Sequence, residues 1–209
     1  MAVPNEHFAT IEETDRLAQE LLLPHVQVCL VLMDQYTLAM REAAQPLNNA
    51  GYYLHEQGRY TECEPLYQRA LAIREQQLGP LHPDTAQSLN NLAELYRAQG
   101  KYEQAEPLYQ RALAICEQQL GPLHPDTAQS LNNLAGLYAD QGKYEQAEPL
   151  YQRALAIWEQ VLGPEHPHTI TVLKNYAALL QEMNRTDEAF TLLHPVQAKR
   201  AENVQTDSV

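Results

Sequence analysis

A unit of 42 residues recurs along most of this chain, and that period constrains the fold more than any other feature. Residues 85–126 and 127–168 agree at 35 of 42 positions, and residues 43–84 agree with 85–126 at 28 of 42. A fourth, eroded copy begins at Thr169 and keeps Leu173, Asn175, Ala177, Leu179, Glu188, Ala189 and Leu192 in register. Units this short cannot bury their apolar faces alone. A fixed period of about 20–50 residues therefore implies copies that stack and cover one another.

Each unit reads as two helices. From Thr85 to Gln99, Leu89, Leu92, Ala93, Leu95 and Tyr96 recur at the three-to-four residue spacing of one helical face, which defines helix A. Gly100 then interrupts the pattern, and Ala105, Leu108, Tyr109, Ala112, Leu113 and Ile115 mark helix B over Tyr102 to Leu120. Pro65, Pro107 and Pro149 fall early in the B helices, near the turn whose N–H groups lack intrahelical partners, so they predict a small kink and not a break. Small residues at Ala93, Ala105 and Ala112 permit close helix approach. The connector Gly121-Pro122-Leu123-His124-Pro125-Asp126 stops one helix with Gly and starts the next with Pro and an acid. The expected architecture is all-α, a solenoid of stacked antiparallel helix pairs. Abundant Ala, Leu, Glu, Gln and Arg agree with it.

Leu-Asn-Asn-Leu-Ala, Tyr-x-x-Gln-Gly-Lys-Tyr, Ala-Glu-Pro-Leu-Tyr-Gln-Arg-Ala-Leu and Gly-Pro-x-His-Pro together resemble kinesin light chain-type tetratricopeptide repeats, and the 42-residue length fits that subtype. The resemblance covers about residues 43–193 and implies a right-handed α-solenoid. It divides the chain into repeats at 43–84, 85–126 and 127–168, with a partly eroded repeat at 169–197 and a short cap and frayed tail at 198–209. Residues 1–42 read as a degenerate leading repeat or N-terminal capping helices. Pro46 is expected to shorten helix A of the first full repeat at its start, and Pro195 to break the last helix B.

The formal net charge is −13, and residues 1–42 alone carry seven acids against two bases. No basic block exists to neutralise phosphates or to meet an anionic membrane, so nucleic acid and membrane are not expected partners. Cys29, Cys63 and Cys116 are odd in number and unclustered, which fits reduced thiols in a cytoplasmic protein. The most apolar stretch, Leu21 to Met33, holds 13 residues, too few to span a bilayer. Asn184-Arg185-Thr186 forms a glycosylation sequon, given little weight without a signal peptide.

Catalytic signatures are missing. Gly136 to Lys143 places five residues between its glycines, not the four of a phosphate loop, and lacks the following Ser or Thr. His82, His124 and His166 recur in successive connectors beside Asp84, Asp126 and His168. Copies spaced one per repeat should not converge on a metal, so a loop-packing or helix-starting role is expected. The Tyr60, Tyr102 and Tyr144 stripe reads as inter-helix core, and Cys63 occupies a small buried slot that Ala105 fills one unit later. No enzyme activity, cofactor or metal is expected.

In this architecture helix A lines the concave face, where recognition residues belong. The resemblance implies that the second Asn of Leu-Asn-Asn contacts a bound peptide; here these are Asn49, Asn91, Asn133 and Asn175. Each amide offers a donor and an acceptor, so an Asn ladder suits the backbone of an extended segment, although bridging of neighbouring helices is an equally chemical use. The preceding Asn48, Asn90, Asn132 and Lys174 are secondary candidates. Three slots differ between near-identical copies: Tyr52, His55 and Glu56 become Glu94, Arg97 and Ala98, then Gly136, Ala139 and Asp140. Variation there fits side-chain reading of a ligand. Drift fits too, because Cys116/Trp158, Gln119/Val161, Leu123/Glu165 and Asp126/His168 also vary outside the groove.

These residues point to a protein or peptide partner held along the concave helix-A groove. A sensor or regulatory arm of a signalling NTPase, and a self-assembling homo-oligomeric platform, are the alternatives.

Overall fold

The computed structural model describes residues 43–193; the expectations for residues 1–42, for Pro195 and for the tail lie outside them. Every regular element among the described residues is helical: α1 (Ala44–Glu56), α2 (Tyr60–Leu78), α3 (Pro83–Ala98), α4 (Tyr102–Gln119), α5 (Pro125–Asp140), α6 (Tyr144–Leu162), α7 (Pro167–Glu182) and α8 (186–193). The chain divides into two compact units, Met1–Ile73 and Arg74–Val209, and the division falls inside α2.

In the first unit α1 folds back on α2 through a turn at Gly58, whose φ of 69° is open to glycine without strain. Gly51 lies under the Tyr67 ring, where a Cβ would stand 2.5 Å from Cε1. The Cys63 thiol donates to the Gly51 carbonyl at 3.1 Å. Helix α1 has 13 residues against 16 in α3, α5 and α7, and it begins at Ala44 with Pro46 in its first turn, as Pro46 predicted.

The second unit stacks the remaining helices. Packing is tightest within the pairs α3/α4 and α5/α6, next between α4 and α5 and between α6 and α7, while α3, α5 and α7 also touch in succession. Ala93, Ala105, Ala112, Ala135, Ala147 and Ala154 are fully buried, which is why the helices approach closely. The B helices run unbroken through Pro107 and Pro149.

Connector chemistry explains the recurring histidines. His82, His124 and His166 are N-caps of α3, α5 and α7, each imidazole Nδ1 accepting the backbone N–H two residues on at 3.1–3.2 Å, with Pro following. Thr85, Thr127 and Thr169 lock the same connectors by donating to the carbonyls of Gly79, Gly121 and Gly163. The A-to-B turns close with a left-handed residue: Gly100 and Gly142, and in the eroded repeat Asn184 at φ 60°. Asn184 thus has a turn-forming task inside the sequon.

Burial raises the thiols and phenols of the core. The Cys63 thiol is pushed up to about 12, the Tyr151 phenol to about 12, and the Cys116 thiol and Tyr109 phenol also stand above their usual values. Once unfolded, such thiols and phenols ionise from about pH 9 and 10, whereas the folded chain holds its protons, so the unfolded state binds fewer protons there. Stability should therefore be fully present below that window and fall as pH rises through it. Thermal melts from about pH 8 to about pH 11 check this, and a flat Tm across the range would contradict it.

Candidate functional site

Helices α3, α5 and α7 lie side by side and form one face of the second unit. A cavity of about 440 Å³ opens on it, lined by Arg97 of α3, by Asn132, Gly136, Ala139 and Asp140 of α5, by Tyr144 and Tyr151 of α6, and by Asn175, Ala178, Leu179 and Glu182 of α7. Six of the groove positions singled out by the sequence, Arg97, Asn132, Gly136, Ala139, Asp140 and Asn175, converge there.

The asparagines divide between two tasks. Asn90 donates to Ser130 Oγ at 3.0 Å and Asn175 donates to Asn132 Oδ1 at 3.0 Å, so these amides tie each A helix to the next. Asn133 accepts from Gln129 at 2.7 Å and from Asn132 at 3.4 Å, which leaves its own N–H2 without an acceptor among the described residues. Asn91 is half-buried on α3. Lys174 is exposed on α7 and has no partner among the described residues.

Asn48, Asn49, Tyr52 and His55 belong to the first unit. Asn49 is exposed and accepts from Gln45 at 2.9 Å, in the manner of Asn133. Asn48 is buried, Tyr52 exposed, and His55 stacks obliquely on Tyr60 with ring centroids 5.5 Å apart.

The variable slots in the second unit contact one another. Arg97 Nε donates to Asp140 Oδ2 at 2.6 Å, and its Nη1 donates to Glu94 Oε2 at 3.2 Å, the carboxylate that also accepts from the Tyr109 hydroxyl at 2.5 Å. The guanidinium lies across Gly136, where a Cβ would stand 3.1 Å from Nη1. Glycine at 136 is thus the counterpart of arginine at 97. Burial works against the Arg97 charge, but the hydrogen bond to Asp140 and the fields of Glu94 and Asp140 outweigh it, so the group stays above its ordinary value and cationic. Burial, and then the charge of Glu94, push the Tyr109 phenol up, so it stays a donor.

Three lining residues were not singled out by the sequence, Tyr151, Ala178 and Glu182. The period itself contained the signal: Tyr151 stands 42 positions after Tyr109, and Glu182 42 after Asp140. Among the described residues no group of three or more His, Cys, Asp or Glu is placed to hold a metal ion, and no helix is long and apolar enough to cross a membrane.

Comparison with known proteins places this geometry in a wider set. The tetratricopeptide repeat family matches residues 42–118, 86–155 and 126–193. Among solved structures, a Podosopora anserina kinesin light chain-type protein with nearly identical TPR-like repeats is 26% identical, with a TM-score of 0.68 over 92% of this chain and 94% of that one. BtubC (BKLC) from P. vanneervenii is also 26% identical, with a TM-score of 0.67 over 91% of this chain and 69% of that one. The apo form of RapI shares the fold at 16% identity and a TM-score of 0.70, over 91% of this chain and 69% of that one. A nucleotide-binding leucine-rich repeat (NLR)-like protein of Hyaloscypha variabilis is 39% identical over 63 residues, which are 30% of this chain and 6% of that much longer protein. With three overlapping family matches along a stack of helix pairs whose caps, turns and small-residue slots repeat every 42 residues, the chain belongs to the tetratricopeptide repeat family, in its kinesin light chain-like form.

Proposed function

We propose that this chain is a non-enzymatic scaffold that holds an extended segment of a partner protein along the face of its A helices. Tetratricopeptide repeats are in general protein–protein interaction scaffolds, and the finer assignment rests on one observation. The A-helix face carries a cavity of about 440 Å³ whose wall combines amides, Arg97 and carboxylates with two tyrosine side chains. An extended backbone needs polar partners at intervals, and amide hydrogens that the A helices leave open, such as the N–H2 of Asn133, are donors suited to its carbonyls.

Asn91 and Asn133 are the ladder positions to test. In a pull-down from the native host, a chain carrying Asn91→Ala and Asn133→Ala should lose most of its partners while keeping its helical circular dichroism. Undiminished recovery by a folded variant would sink the groove reading.

A second reading, a repeat arm working with a signalling NTPase, is supported by the likeness over 63 residues to the NLR-like protein. A nucleotide-binding domain encoded in the same gene, or beside it, is the observation that would favour it.

A further inference from the structure

The second unit contains the same charged layer twice, once complete and once with a side chain missing. In the complete layer Arg97, the penultimate residue of α3, bonds Asp140, the last residue of α5, at 2.6 Å, and Glu94 takes the hydroxyl of Tyr109. One period later the same four positions are Ala139, Glu182, Gly136 and Tyr151. The acid and the phenol persist, while the arginine has become Ala and the glutamate Gly. All four residues line the cavity.

Two features of this second layer are otherwise unfavourable. Glu182, an exposed residue of the cavity wall, is the last residue of α7, where the partial negative charge of the helix end disfavours a carboxylate, and only solvent and no described residue compensates it. Tyr151 is 4% exposed, yet its hydroxyl, unlike that of Tyr109, bonds to no described residue and faces the cavity. Asp140 is also a terminal residue of its helix, but Arg97 compensates it. Arg97 itself has two carboxylate neighbours, so a second cation entering beside it meets no net positive field. The charged lining of the cavity is one arginine and two acids, which leaves one negative charge unmatched.

From this we infer that the cavity is an arginine subsite: the side chain of an arginine in a bound polypeptide enters beside Ala139 and over Ala178, one period on from where Arg97 covers Gly136, pairs its guanidinium with Glu182 as Arg97 pairs with Asp140, and meets the Tyr151 hydroxyl. This rests on the groove reading proposed above and gives it a specificity. A planar guanidinium can bond a carboxylate in two places at once, whereas an ammonium is a single point charge, so arginine is preferred to lysine.

The test uses blocked pentapeptides, four alanines around a central arginine, lysine or citrulline, titrated into the ¹⁵N-labelled chain. Amide shifts at Gly136, Ala139 and Glu182 should saturate with the arginine peptide at least about tenfold below the concentration citrulline requires, with lysine between them. Glu182→Gln should remove that preference. Ala139→Arg should supply the missing side chain from within, abolish the arginine response and raise Tm. Equal responses to arginine and citrulline, no shift up to about 10 mM, or an unaltered response in a folded Ala139→Arg chain would each overturn the inference. Suppose the Asn91→Ala, Asn133→Ala chain loses its partners while Ala139→Arg and Glu182→Gln keep theirs. The groove reading then stands and the arginine subsite falls.

Discussion

Truncating Trp158 to Ala lowers the unfolding free energy by about 3–5 kcal/mol, the range of large aromatic deletions from a packed core. The indole is 2% exposed, and its ring stacks on His168 at 5.4 Å, joining α6 to the first turn of α7. Because each repeat contacts only its neighbours, the loss should be local, with α7 and α8 melting ahead of the rest. Equilibrium unfolding followed by circular dichroism and by amide exchange of α7 reads both effects. A loss below about 1 kcal/mol would contradict the packing argument. The same slot holds Arg74 and Cys116 in the earlier copies, each with its own partners. Arg74 donates to the Asp84 carbonyl, Gln87 and Ser88, and Cys116 Sγ lies 3.6 Å from Ser130 Oγ. Trp158→Cys combined with His168→Asp and Val172→Ser restores the Cys116 arrangement and should cost less than the sum of the three single changes.

Arg97→Ala should cost about 1–2 kcal/mol, since it removes one half-buried guanidinium that serves two half-exposed carboxylates at once, more than a single surface pair is worth but well short of a buried one. Its guanidinium joins Glu94 and Asp140 across two repeats, and the Arg97 side chain is 27% exposed. Lys143→Ala is the control. Lys143 pairs with Glu106 at 3.5 Å and is 44% exposed, so its loss should cost under about 1 kcal/mol. Urea titrations of both variants compare the two, and equal losses would refute the ranking.

Much of the fold was legible in the 42-residue period. Every described helix falls where the spacing placed it, because identical apolar positions must find identical neighbours one repeat away. His82, His124 and His166 were legible as helix starters for the same reason: a residue that recurs in a connector serves the connector. The candidate site was less legible. Asn90 and Asn132 looked alike along the chain, yet Asn90 donates to Ser130 of the next A helix while Asn132 accepts from Asn175, since only the neighbouring helix determines where an amide turns.

The differences between copies divide in the same way. Cys116/Trp158 and Asp126/His168 resembled drift outside the groove, but the Trp158–His168 stack makes them one packing change. Glu94/Gly136 and Arg97/Ala139 resembled independent ligand-reading slots, but Arg97 reaches across its own repeat to lie over Gly136 and bind Asp140. The sequence by itself determined the helices, their caps, their pairing and the family, because all of these repeat with the period and depend on residues close along the chain. Only the tertiary structure decided which side chains of different repeats meet, and hence that Glu182 and Tyr151 face a cavity where Arg97 has no successor. Contacts between repeats join residues some 40 positions apart, and no pattern within one unit specifies which of two polar neighbours a flexible side chain will choose.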